Sequence, residues 1–293
     1  MSGSDRPVSG GPEDGARARV QAPIARRALR VLGIEELGAY RVLRLSDPDG
    51  PRPQPGQFTM LATVERWGAG EDERPHVPRA FSVARWREDE GGREAHYLLE
   101  DVGPGTHRLC ELRAGEEVWA LGPLGRGFAA PEQGRRAILV GGGVGIAPLA
   151  IFQDLLLHRD SAAAPAVVLL GFRDSSRARG ASLLQDAQIA TDDGVVGQRG
   201  LVTELLAHEL EGGPEAVVYA CGPAPMLEAV RAMCAARGVP AQLALESGMA
   251  CGFGACFGCV VPTRNGYLRV CVDGPVLDAE QLEHVDAHAG APA

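Results

Sequence analysis

Four of the seven cysteines in this 293-residue chain lie close together near its carboxyl end. Cys251, Cys256, Cys259 and Cys271 follow the spacing C-x4-C-x2-C-x11-C. The first three match the plant-type pattern, in which four thiolates hold the two irons of a [2Fe–2S] cluster. Glycines between them suit a tight loop, because glycine adopts left-handed backbone angles at no steric cost. The sequence therefore predicts a one-electron carrier here.

Two other roles for these cysteines stay open. A structural zinc site usually combines two CxxC pairs, or one CxxC pair with histidines, and only one CxxC pair is present here. Disulfides need an oxidising compartment. Residues 1–20 are rich in Gly, Pro and charge and lack an apolar core, so they predict a disordered tail and not a signal peptide. This favours a cytoplasmic, reducing location, where thiolates serve as ligands.

Composition narrows the class of protein further. The length allows about two domains with a small appendage. The net charge is −9 and the arginines are scattered, which argues against a nucleic-acid surface. Apolar runs are short and interrupted by glycine, so the sequence predicts no transmembrane helix. We expect neither nucleic acid nor a membrane as a partner.

The elements that must position this chemistry fall into three blocks. Residues 21–131 contain six short β-rich segments separated by turns, which predict an antiparallel β-barrel or sandwich. Residues 132–240 alternate apolar strands with helical segments, the pattern of a doubly wound parallel sheet. Residues 241–293 carry the cysteines and predict a small third domain. The expected fold class is multidomain, α/β plus all-β.

Two motifs in the first block are candidates for ligand contact. Arg79 and Ser82 stand on a predicted strand, where a guanidinium fork suits a phosphate and a hydroxyl suits a ring nitrogen or carbonyl. Residues 102–106, Val-Gly-Pro-Gly-Thr, would offer backbone N–H groups to an anion. Chance and ordinary turn chemistry explain each motif equally well.

Two motifs in the second block follow predicted strands, where open α/β sheets bind ligands. Residues 141–148 open a helix whose N–H groups would hold a pyrophosphate, with Gly141, Gly142, Gly143 and Gly145 as candidates. The alternative is a glycine-rich turn without a ligand. A later strand leads into Cys221, Gly222 and Pro223. Cys221 is a candidate for contact with a nicotinamide, or else a small buried residue.

Together, these motifs resemble the ferredoxin–NADP reductase superfamily. With the cysteine segment included, residues 22–283 resemble the electron-transfer subunits of NAD-dependent dihydroorotate dehydrogenases. The resemblance implies one FAD and one [2Fe–2S] cluster per chain, with NAD as electron acceptor in pyrimidine biosynthesis. It also implies a partner, an FMN-containing dihydroorotate dehydrogenase catalytic subunit, in a heterotetramer of two of each. Electrons would pass from that FMN through the cluster to FAD, and then as hydride to NAD⁺.

The resemblance also assigns individual residues. Those expected at the FAD are Arg79, Ala80, Phe81, Ser82, Leu98, Leu99, Glu100, Gly105 and Thr106. Those expected on the cluster are Cys251, Cys256, Cys259 and Cys271. The nicotinamide wall would comprise Cys221 and Glu246 as catalytic candidates, with Gly222 and Pro223. Two positions depart from the family pattern. Ala80 stands where proline is usual, and Glu100 stands where arginine is common, which weakens the case for a phosphate or ribose contact there.

Two questions stay open at the level of sequence. Arg173, Arg177 and Arg179 would meet the 2′-phosphate of NADP, whereas Asp174 would meet the ribose of NAD; alternatively, these arginines are solvated. The same modules also fit an NAD(P)H-dependent ferredoxin or sulfur reductase subunit. A third possibility is a redox sensor whose cluster reports to a partner without turnover.

Overall fold

A computed structural model of the protein describes residues 25–67, 75–158, 165–212 and 215–285. The predicted tail, residues 1–20, lies outside the described residues. Within the described ranges, no helix has the length and apolar character needed to span a membrane.

The first block folds into a closed antiparallel barrel. Its strands are β1 (Arg27–Leu37), β2 (Tyr40–Ser46), β3 (Phe58–Thr63), β4 (Arg79–Asp89), β5 (Gly92–Glu100) and β6 (Glu117–Leu124), with helix α1 (Pro104–Cys110) after β5. They pair in the order β1-β2-β5-β4-β3-β6. Inside the barrel, the fully buried Tyr97 hydroxyl donates to Thr59 Oγ1 at 3.0 Å. The six strands expected from the sequence are all present.

The second block provides most of a seven-stranded sheet. Its strands are β7 (Arg136–Gly142), β8 (Val167–Phe172), β9 (Ala187–Thr191), β10 (Gln198–Arg199) and β11 (Ala216–Cys221). Its helices are α2 (Ala147–Leu157), α3 (Ser175–Ala178), α4 (Val202–Glu209) and α5 (Ala224–Arg237). The C-terminal block adds β12 (Ala241–Ala244), β13 (Val260–Thr263), β14 (Gly266–Arg269), α6 (Val270–Asp273) and β15 (Val276–Asp278).

The strand order shows that the third block is not separate from this sheet. The order is β10-β9-β8-β7-β11-β12-β15, parallel except for the antiparallel pair of β12 and β15. The predicted boundary at residue 240 therefore cuts through a continuous sheet. Residues 245–275, here called the cysteine excursion, leave the sheet after β12 and return in β15. Within this excursion, β13 and β14 form a small hairpin.

Both faces of the sheet are covered, as the continuous apolar strands predict. Ala137 and Leu139 of β7 face α2 and the barrel, whereas Ile138 and Val140 face α4, α5 and the cysteine excursion. The period-2 alternation of strand side chains produces this division. The barrel thus packs on the α2 face of the sheet, whereas the cysteine excursion packs on the opposite face and shares a hydrophobic cluster there with Phe58 and Met60 of β3.

Candidate functional site

A cavity of about 960 Å³ lies between the barrel and the carboxyl edge of the sheet. Its walls come from β4, β5 and α1 on the barrel side, and from the turn after β7 and the ends of β8 and β9 on the sheet side. Residues 245–250 and Gly258 of the cysteine excursion close one end. The cavity therefore touches all three parts of the chain.

The barrel wall brings a guanidinium onto the start of α1. The Arg79 side chain lies so close to Gly105 that a Cβ there would be 2.7 Å from Arg79 Nε. Gly103 is the N-cap of α1, Pro104 to Thr106 form its first turn, and Thr106 Oγ1 accepts from the N–H groups of Val102 and Gly103. The first turn of a helix leaves backbone N–H groups without intrahelical partners. With Arg79, this turn suits a diphosphate.

Strand alternation separates the remaining barrel candidates. Ala80, Phe81 and Ser82 line the cavity together with Leu98 and Glu100. Leu99 does not, because its side chain is fully buried in the barrel core. The Leu99 side chain therefore points away from the cavity, as alternation along β5 requires, and its assignment to FAD stays a prediction.

The glycine-rich turn after β7 divides in a similar way. Gly142, Gly143 and Gly145 line the cavity, and the φ of Gly143 is +56°. A Cβ at Gly145 would lie only 2.5 Å from the carbonyl of Cys221, so this turn packs directly on the loop after β11. Gly141 is absent from the cavity wall and packs against Ile146 instead. The structure shows a packing position for Gly141, and its assignment to a ligand stays a prediction.

The two catalytic candidates have different surroundings. The Cys221 thiol is buried in the sheet core, where burial raises its pKa well above the usual value, and it does not reach the cavity. The alternative of a small buried residue is the correct one for Cys221. Pro223 does line the cavity, while Gly222 lines a small recess behind it. Glu246 lines both spaces and is exposed to solvent, yet partial desolvation by the protein around it raises the pKa of its carboxyl.

The four cysteines form two pairs. In the first, burial of Cys251 acts against ionisation, but three backbone N–H groups and the Cys256 side chain lower the pKa of Cys251 to about 6; these N–H groups belong to Cys256, Phe253 and Ala255. In the second, the Cys271 N–H donates to Cys259 Sγ at 3.4 Å. Burial and the neighbouring Cys259 raise the pKa of Cys271 to about 12.

This pairing fits a two-iron cluster. Within the described ranges, no three His, Cys, Asp or Glu side chains converge as one metal ion requires. Four thiolates on two irons give two thiolates per iron. Two cysteine pairs match this arrangement more directly than they match the single metal ion of a four-ligand zinc site. Gly252 and Gly254 adopt φ values of +77° and +89°, so that the loop turns its N–H groups towards sulfur.

The cysteine excursion also lies against the barrel. A Cβ at Gly252 would be 2.5 Å from Cγ of Met60 on β3. Gly258, which lies between Cys256 and Cys259, lines the cavity itself. The two cofactor-type sites are therefore neighbours, with only a loop backbone between them.

Some cavity residues escaped the sequence analysis. They are Phe58, Val77, Val144, Asp192, Leu201, Val202, Thr203, Met226, Leu245 and Met249. Several follow the carboxyl ends of β9 and β12, and the rule that open sheets bind ligands at that edge is the signal that would have found them. Phe58 and Val77 carry no such signal, because only barrel closure brings them to the cavity.

The basic residues after β8 separate into two groups. Arg173 and Arg177 line the cavity, whereas Arg179 does not. Arg177 donates from Nε and Nη2 to Glu100 Oε1 at 2.9 and 2.6 Å, and from Nη1 to Asp174 Oδ2 at 2.6 Å. Asp174 also caps α3 by accepting from the Arg177 N–H. Arg177 is thus an ion-pair partner of two carboxylates and not the solvated arginine that one reading of the sequence gives.

Comparison with known proteins supports this geometry. Residues 246–283 match the model of the iron-sulfur cluster binding domain of dihydroorotate dehydrogenase B, and residues 139–232 match the oxidoreductase NAD-binding domain. The dihydroorotate dehydrogenase B (NAD(+)) electron transfer subunit of Caldanaerobacter subterraneus subsp. tengcongensis is 36% identical over 80% of this chain and 88% of its own length. That of Geobacillus thermodenitrificans is 38% identical over 78% and 86%. The chain belongs to this family.

Membership confirms what the sequence implied about family, fold class and cofactors. The chain is an NAD-linked flavin oxidoreductase subunit, and its cofactors are FAD, a [2Fe–2S] cluster and NAD. A solved NADH-dependent reduced ferredoxin–NADP oxidoreductase shares the fold, with a TM-score of 0.72 at 23% identity over 87% of this chain and 90% of the other. The assignment of single residues to each cofactor stays a prediction.

Proposed function

We propose that this electron transfer subunit accepts electrons from the FMN of a dihydroorotate-oxidising catalytic subunit and delivers them to NAD⁺. The cluster supplies single-electron transfer, and FAD links single electrons to hydride transfer. The observation that carries the proposal is that the cysteine excursion closes one end of the cavity. Gly258 lines the cavity, and Gly252 contacts Met60 of the barrel. A heterotetramer of two chains of each kind in the cytoplasm is part of the same proposal.

The barrel wall is assigned to FAD. Arg79 and the first turn of α1 neutralise and bind the diphosphate, as a guanidinium fork and unpaired N–H groups do for phosphate oxygens. Ser82 offers a hydroxyl to the polar edge of the ring system, and Ala80 leaves that strand without the φ restraint of a proline.

The sheet wall is assigned to NAD. The turn of Gly143 and Gly145 opens onto the cavity ahead of α2, where N–H groups receive a dinucleotide diphosphate. Pro223 and Glu246 form the end of the wall nearest the cysteine loop. Pro223 is assigned to pack against the nicotinamide, and Glu246 to bind its polar substituent. Cys221 supports this wall from beneath, without contact of its thiol.

The cysteine excursion is assigned to the catalytic partner. Phe253, Phe257 and Tyr267 are 58%, 63% and 77% exposed, and within the described residues they are the only large aromatic side chains so exposed. Residues 246–275 hold two acidic and two basic residues, so this segment is neutral in a chain of net charge −9. Aromatic enrichment with little charge marks the centre of protein–protein interfaces.

The backbone of the excursion supports the same assignment. Phe257, between two cysteines, holds a left-handed φ of +58°, which is unfavourable for a residue with a side chain. The guanidinium of Arg269 lies over its ring at 5.5 Å. A strained, exposed aromatic residue stacked with arginine combines two of the residue types that dominate binding energy at interfaces.

Purification of the intact chain with and without its partner tests the proposal. The chain alone should contain FAD, iron and sulfide and reduce an artificial acceptor with NADH, yet show no dihydroorotate oxidation. Mixed with the catalytic subunit, it should co-elute with FMN. A cofactor-loaded chain without NADH-dependent activity, or without affinity for that subunit, would contradict it.

A further inference from the structure

A carboxylate lies on the wall assigned to the FAD diphosphate. Glu100 is the last residue of β5, five positions before Gly105, and its side chain lines the cavity together with Arg79 and Thr106. A diphosphate carries negative charge, and like charges in an enclosed, poorly hydrated site repel one another strongly. Left unpaired, Glu100 would therefore weaken the binding of any anion on this wall.

The neutralising cation comes from the other domain. Arg177 belongs to α3 of the sheet domain and makes two hydrogen bonds to Glu100 Oε1, at 2.9 and 2.6 Å. The side chains of Arg177 and Glu100 are 30% and 19% exposed, so the pair is only partly open to water. Asp174 holds the guanidinium from its other side at 2.6 Å and caps the same helix, which fixes the direction in which Arg177 points.

Close contact between the domains holds this pair in place. A Cβ at Gly38 of the barrel would lie 2.0 Å from the carbonyl oxygen of Ser176, and the Ala39 N–H donates to that oxygen at 3.3 Å. Tyr40 is fully buried beside the pair; burial first and Glu100 second raise its pKa. The domain contact thus shields one side of the pair from water, so that an uncompensated charge there is more costly than at an open surface.

We propose that Arg177 is a positioning residue for FAD that acts through Glu100. It neutralises that carboxylate and so lets the barrel retain an anionic dinucleotide. Flavin retention by the barrel then depends on an arginine supplied by the sheet domain. This inference rests on the proposed FAD site, and its test separates the two: a wild-type chain without FAD ends the proposed site, whereas the variants below decide the role of Arg177.

The test is a double-mutant cycle read out as FAD affinity. The FAD dissociation constants of wild type, Arg177→Met, Glu100→Gln and the double variant are measured by flavin fluorescence on flavin-depleted, cluster-containing protein. Arg177→Met should bind FAD at least about tenfold more weakly, because it leaves a partly buried carboxylate unpaired on the wall assigned to the diphosphate. The double variant should return to within about threefold of wild type, since the charge of Glu100 is gone and Asp174, which stays charged, lies outside the cavity wall. Glu100→Gln alone should bind FAD as tightly as wild type or more tightly.

Arg179→Met is the matched control, because it removes the same charge two residues away, outside the cavity wall. It should leave FAD affinity unchanged. If the double variant binds as weakly as Arg177→Met, Arg177 contacts a cofactor directly and the inference is wrong. Tenfold weaker binding by Glu100→Gln, or unchanged binding by Arg177→Met, also overturns it. If Arg177→Met does not fold, the FAD affinities of the double variant and of Glu100→Gln test the inference. Both must bind FAD normally, and weaker binding by either one overturns it.

Discussion

The cysteine excursion and the interdomain cavity hold cofactors in two different ways. All four cysteines of the excursion lie within 21 consecutive residues, and local glycine turns direct backbone N–H groups towards the sulfur of Cys251. The cavity instead collects its wall from β4, β5, α1, the turn after β7 and the ends of two further strands. A local site depends on its own segment, whereas an assembled site depends on how two domains meet. Substitutions in the two regions should therefore affect different properties of the protein.

Removing a thiol should have the largest effect and stay confined to the excursion. Cys256→Ser should abolish the visible absorbance of the cluster and lower partner-dependent NAD⁺ reduction by at least about 1,000-fold, because the only single-electron path across the excursion is lost. FAD content and NADH oxidation by artificial acceptors should change less than about threefold, because the cavity is intact. Cys110→Ser, a change on α1 of the barrel, should retain the cluster. Loss of NADH oxidation in Cys256→Ser would show that the two regions are not separable.

Partner docking should be weakened without damage to either site. Phe257→Gly removes an exposed ring from a backbone that glycine adopts freely, so the free energy of unfolding should change by no more than about 1 kcal/mol. Affinity for the catalytic subunit should fall at least about tenfold, as for an aromatic interface anchor. Val195, 68% exposed but outside the excursion, provides the control Val195→Ala, which should bind normally. Equal affinity of both variants, measured by calorimetry, would remove the docking assignment.

The assembled cavity should be sensitive to backbone spacing. Gly145→Ala places a methyl group 2.5 Å from the Cys221 carbonyl and must push two cavity loops apart. The KM for NADH should rise by roughly tenfold or more, because small misplacements of bound reactants cost up to about 100-fold. Cluster absorbance should be unchanged. Gly33→Ala, where nothing lies within 4 Å, is the control. An unchanged KM in Gly145→Ala would separate this turn from NADH binding.

Features built from local segments could be predicted from the sequence, whereas features that depend on how the domains meet could not. The cysteine spacing, the six barrel strands and the strand–helix turn at Gly143 are local patterns, and the sequence alone predicts them. The burial of the Leu99 and Cys221 side chains away from the cavity was not foreseen, because proximity on a strand does not say which face a side chain occupies. The pair of Glu100 and Arg177 joins residues 77 positions apart. Only the docking of the domains brings them together, so neither composition nor spacing reveals it.

Glu246 should give the smallest effect, visible as a pH dependence of stability. Its pKa is raised in the folded protein above the usual value of 4.5, because the protein packed around the carboxyl removes part of its hydration, although the residue is still exposed to solvent. Folding therefore favours the protonated form, and this contribution is present below pH 4.5 and lost as the pH rises through the raised pKa. Glu246→Gln should have a higher Tm than wild type at pH 8, by a few degrees at most, and the same Tm below pH 4.5. A difference that grows towards low pH would contradict the assignment.

The central claim is that this chain connects dihydroorotate oxidation to NAD⁺. The most direct measurement is the rate of NADH formation from dihydroorotate and NAD⁺ as the cofactor-loaded chain is titrated into a purified FMN-containing catalytic subunit. Neither protein alone should form NADH, and the rate should rise and saturate at one chain per catalytic subunit. A rate that stays at zero, although the two proteins bind and each holds its cofactors, would contradict the account.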